Sequence, residues 1–153
     1  MATLDYRPHI TLAVYDKLDA GRADRVIDAV SSRLREPPRV RFAGIRHFDG
    51  EPLVLWAAPD PHPALDDAHG LVHAMIDPSS CRPHYRPGAW VPHCTLAMRI
   101  PHQRRAGALA FAGRPIEPFT VAFDRLDCLR FPPVTILRTV SLRHPLPCSP
   151  SRE

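Results

Sequence analysis

Lysine is almost missing from this chain: Lys17 is the only one, and arginine supplies the rest of the Lys/Arg charge. Arginine's planar fork suits phosphate groups. A GC-rich genome gives the same bias without selection for binding, so the arginines alone name no partner. No segment approaches the about 20 apolar residues that span a bilayer. The opening "MATLDYRPHITLAVYD" also lacks a basic start followed by an apolar stretch of signal length. Cysteine is sparse, and Cys81, Cys94, Cys128 and Cys148 form no C-x-x-C pair and no framework spacing. That argues against a zinc ribbon and a disulfide scaffold. The thiols read as reduced cysteines, with Cys94 and Cys128 packed in strands. A soluble, cytoplasmic protein without a membrane partner is the expectation.

The 153 residues and 44% hydrophobic content fit one folded domain. A net charge of +4 and a pI near 9.2 favour anionic partners. The 19 prolines punctuate the chain instead of forming a tract. Residues 6–15 alternate as a strand. Val26, Ile27, Val30 and Leu34 give residues 22–35 a helical stripe, ended by Pro37–Pro38. Strands follow at about 39–48 and 52–58 around the turn "FDGE". Leu65, Ala68, Leu71, Val72, Met75 and Ile76 mark a helix at about 62–76, and residues 77–89 are a Pro/Gly/Ser-rich loop. A strand at 90–99, a short helix at about 102–110 and strands at about 116–128 and 134–143 complete the order.

One phrase occurs twice: "PHITLA" at residues 8–13 and "PHCTLA" at 92–97. Each copy opens a strand-helix-strand-strand unit, which implies an internal duplication. The expected class is α+β, with mainly antiparallel sheets in each of two pseudo-twofold-related lobes around a central cleft. Residues 1–145 form one bilobal domain in this reading. Its repeats lie at about 6–58 and 90–143, a linking helix and loop fill 62–89, and 146–153 form a frayed tail.

On a strand, residues i and i+2 share a face. Arg7, His9, Thr11 and Ala13 therefore line up, and so do Val91, His93, Thr95, Ala97 and Arg99. The alternate residues, Tyr6 to Val14 and Trp90 to Met98, are expected to pack under the helices. Two imidazoles meeting in one cleft can serve as base and acid across a phosphorus centre. Two threonine hydroxyls can donate to its non-bridging oxygens, and Arg7 and Arg99 can add positive charge. A lone H-x-T on a strand is an ordinary β-former beside a half-buried histidine. Duplication for packing alone would keep the apolar positions, whereas here the polar pair is kept as well.

Paired H-x-T motifs, the second within "WVPHCTLA", resemble those of the 2H phosphoesterase superfamily, with its 2′–5′ RNA ligase-like and cyclic nucleotide phosphodiesterase branch. The resemblance covers nearly the whole chain. It implies metal-independent chemistry on 2′,3′-cyclic phosphates or 2′–5′ bonds of RNA or nucleotides, without a cofactor and possible in the ligation direction. By that analogy His9 is the general acid, His93 the general base, and Thr11 and Thr95 hold the phosphate. Acid and base can exchange with reaction direction. A monomer is expected.

Tyr85 and Arg86, with His84, sit in the loop before the second motif and are further candidates for substrate contact; their plainer reading is a solvated loop. Trp90 reads as packing. His69 and His73 have the i,i+4 spacing of a metal grip, but Gly70 stands where H-E-x-x-H needs Glu, so exposed surface histidines are expected there. Arg130, on a late strand, is not placed by parity. The competing function is a module that binds RNA or nucleotide phosphates without turnover, and a metalloenzyme built on His69 and His73 is a third possibility.

Overall fold

The computed structural model describes residues 6–142; Cys148 and the tail at 146–153 lie outside them. Among these residues three α-helices and six strands are arranged as an α+β fold. Helix α1, Ala20–Arg33, starts where the Asp19 carboxylate accepts from the Arg22 amide at 2.8 Å, two residues before the apolar stripe suggests. It packs against α2, Pro63–Met75, through Val26, Val30, Leu34, Ala68, Val72 and Ile76. A second apolar cluster joins Leu65 of α2 to Val40, Phe42, Ala57 and Cys94 on the sheet, with Ile10, Trp90 and Phe123 against it. Helix α2 thus ties both clusters together.

The strands are β1 Arg39–Phe48, β2 Leu53–Pro59, β3 Cys94–Ile100, β4 Phe119–Ala122, β5 Arg125–Arg130 and β6 Thr135–Ser141. Their pairing is antiparallel, in a four-stranded sheet of order β3-β2-β1-β4 and a separate β5-β6 ribbon. Two expectations change here. The strand expected over 116–128 divides at Phe123–Asp124 and serves both sheets, with the Phe123 amide donating to the Pro38 carbonyl at 3.0 Å. Sheets are also not confined to each repeat, since the β1–β2 hairpin of the first is flanked by β3 and β4 of the second.

The strand expected over 6–15 is an extended segment with isolated antiparallel bridges at Ile10–Cys94 and Tyr15–Cys81. Pro8 has no amide hydrogen to give a ladder. Pro92 has the same defect, and regular β3 begins only at Cys94, not at 90. The short helix expected at 102–110 is a 3-10 turn, His102–Arg104, followed by α3, Arg105–Ala112. No helix among the described residues is long and apolar enough to cross a membrane.

Candidate active site

The middle residues of the two H-x-T motifs, Ile10 and Cys94, face each other in an antiparallel bridge and pack on the sheet cluster. Antiparallel register around that bridge sets His9 across from Thr95 and Thr11 across from His93. Because the middle residues point into the core, alternation turns both histidines and both threonines to the other face. All four are half-buried. The two halves of the chain thus meet with their polar pairs in opposition.

Each imidazole is anchored the same way. His9 Nδ1 lies 2.7 Å from the Arg7 carbonyl oxygen, and His93 Nδ1 lies 2.8 Å from that of Val91. A carbonyl only accepts, so each Nδ1 carries the hydrogen and donates it. The exchangeable position of each ring is therefore Nε2, a lone pair when neutral and a donor when charged. His93 also meets the rings of Phe48 edge-on at 4.9 Å and Trp56 at 5.9 Å. Burial there pushes its pKa below the ordinary 6.5, with a smaller push from the nearby His9, against an upward pull from the Val91 carbonyl. His93 rests neutral near pH 7.

His9 meets the edge of the Tyr6 ring at 4.9 Å, and the Tyr6 hydroxyl donates to Asp127 of β5. Asp127 also accepts from Thr139 Oγ1 of β6 at 2.5 Å. Burial, then the Asp127 carboxylate, raises the Tyr6 pKa, so the phenol stays a donor. Bends at Tyr6 and Pro8 break the alternation that would have turned Tyr6 away from His9.

A family profile described as the 2′–5′ RNA ligase superfamily matches residues 3–135. The chain belongs to that superfamily, the 2H phosphoesterases. Comparison with curated proteins returns no match.

Other residues singled out in this 2H phosphoesterase occupy varied places. Arg7 is exposed beside the first motif. Arg99 is exposed too, but β3 carries an extra residue between the Leu53–Ile100 and Leu55–Ala97 pairs, and another between Leu55–Ala97 and Trp56–Thr95. Arg99 itself has φ of 56°. Arg99 thus lies within the irregular stretch between Ala97 and Ile100, where two-residue alternation from His93 does not place it. Leu96 and Met98 are exposed, against the expectation that they pack under the helices. Arg86 braces its own loop, donating from Nε to the Cys81 carbonyl and from a terminal nitrogen to that of Ser79, both at 2.8 Å. Tyr85 is half-buried and His84 exposed, while Arg130 ends β5 exposed.

Helix α2 departs from the expected exposed histidines. His69 and His73 are not surface residues; they are only 7% and 8% exposed. Both Nε2 atoms lie 2.9 Å from one acceptor, the Tyr85 carbonyl oxygen, so both rings donate to it. The i,i+4 spacing grips a backbone oxygen, whose two lone pairs accept two donors. Among the described residues no group of three or more His, Cys, Asp or Glu is placed to hold a metal.

Burial lowers the His73 pKa below 6.5, helped by His69 and opposed by the bond to Tyr85. As pH falls below about 6.5 the unfolded chain takes up protons at His73 and His93 that the folded chain refuses. Their contribution is constant above that pH and becomes destabilising below it. Urea midpoints measured from pH 8 to pH 5 should fall on the acid side, and His73→Gln should flatten the slope. An unchanged slope in that variant would remove His73 from the account.

Proposed function

We propose that this protein is a metal-independent phosphodiesterase acting on 2′,3′-cyclic phosphate or 2′–5′ phosphodiester bonds of RNA or nucleotide derivatives. In this reading it is one bilobal unit, each repeat bringing one motif. The observation that carries it is the Ile10–Cys94 bridge, which sets two histidines of identical tautomer and two threonines in opposition. For a cyclic phosphate, His93 Nε2 takes a proton from water as the water oxygen bonds to phosphorus. The bond from phosphorus to one ribose oxygen breaks, and His9 Nε2–H gives that oxygen its proton. The product is a phosphate monoester and a free hydroxyl. Thr11 and Thr95 donate to the non-bridging oxygens, whose charge grows in the transition state. The lowered pKa of His93 supports its role as base; in ligation the two roles exchange by microscopic reversibility.

The test is a panel of 2′,3′-cyclic mononucleotides, ADP-ribose cyclic phosphate, 2′–5′ oligoadenylates and cyclic-phosphate-ended RNA, each with EDTA. At least one should be opened at a rate EDTA leaves unchanged, with a bell-shaped pH profile. Activity abolished by EDTA would refute the metal-free mechanism. Binding without product after long incubation would replace it with the phosphate-binding module, whose affinity should fall steeply with salt.

A further inference from the structure

The first motif lies on a segment without a continuous ladder, yet the proposed chemistry needs it fixed to a fraction of an ångström. Besides the bridge at Ile10, its backbone is held by the loop after α2. The Val14 carbonyl accepts from the Arg82 amide at 2.8 Å and from the Cys81 thiol at 3.3 Å. The Thr11 carbonyl accepts from the indole Nε1–H of Trp90 at 3.0 Å. That is the backbone of a threonine assigned to the phosphate. Trp90 is itself fixed on two sides. Its ring stacks on His69 with centroids 4.1 Å apart and planes 5° from parallel, and its amide donates to the Arg86 carbonyl at 3.0 Å. The His69 ring is in turn oriented by the Tyr85 carbonyl it shares with His73.

We propose that Trp90 is a positioning residue: its indole N–H, oriented by the grip of His69 and His73 on the Tyr85 carbonyl, sets the backbone of Thr11 for phosphate binding. The inference rests on the reading of Thr11 given above. Packing explains a large ring at this position, but not an N–H spent on the backbone carbonyl of a motif threonine. The His pair likewise does more than fill space, since an apolar pair would leave the Tyr85 carbonyl without donors.

Trp90→Phe keeps an aromatic ring on His69 and removes the donor. Amide hydrogen exchange across residues 8–14 should become faster by about tenfold, the ratio expected for one lost hydrogen bond. With the panel substrate that is turned over, kcat should fall by about tenfold while KM stays within about twofold. In a Thr11→Val background the same substitution should lower kcat no further, because the group it positions is gone. His69→Gln keeps a donor for Tyr85 and loses the stacking ring, so it should speed the same exchange by a smaller factor. It serves if Trp90→Phe does not fold. Exchange unchanged over residues 8–14 in the folded variant, or a kcat loss that persists in full with Thr11→Val, would overturn the proposal. If the wild-type protein turns over nothing on the panel, the proposed function fails, and the exchange measurement alone still decides whether Trp90 holds this segment.

Discussion

Alanine at His9 or at His93 is expected to lower turnover by about 10²–10⁴-fold, the range a positioned acid or base supplies. Both side chains are half-buried at the end of the core, so neither substitution opens a large cavity. Each removes the one atom, Nε2, that the Arg7 and Val91 carbonyls leave available for proton transfer. The double variant should be little worse than either single one, because a proton taken without one given completes no cycle. Steady-state rates with circular dichroism as a folding control check this. Turnover near the wild-type rate in either single variant would end the two-histidine mechanism.

Stability should respond most to Phe42→Ala, at about 3–5 kcal/mol. Phe42 is 2% exposed, stacks on Phe119 with centroids 5.4 Å apart, and lies in the cluster that holds Val40, Ala57, Leu65 and Cys94. Truncation removes a ring from where α2, the sheet and the second motif meet, and rigid strands on either side limit collapse into the gap. Against a total of about 5–15 kcal/mol for an ordinary domain, that is a large share. Urea denaturation gives the value directly. A loss under about 1 kcal/mol would mean that this cluster does not hold the sheet.

The two H-x-T motifs stand out in the sequence because they are written twice, and the structure brings them together at the Ile10–Cys94 bridge. Helices α1 and α2 were legible from their stripes. What the chain hides is whatever depends on a partner distant in sequence. Nothing near Phe48 and Trp56 signals that they wall His93, or near Asp127 that it receives Tyr6. The buried histidines of α2 read as surface because their acceptor is a backbone oxygen, which has no residue type to recognise. Alternation turns Tyr6 the wrong way and leaves Arg99 unplaced, because bends and bulges interrupt the two-residue count.

The interleaving of the repeats bears on how the chain can fold as it is made. Strands β1 and β2 form a local hairpin, yet both of its outer edges are closed by strands that come later, β3 and β4. Until residue 100 has left the ribosome the hairpin therefore shows open backbone groups on two sides, and the edge of β1 stays open until residue 122. An early stop in translation would release a fragment with two sticky edges and only one half of the His–Thr arrangement.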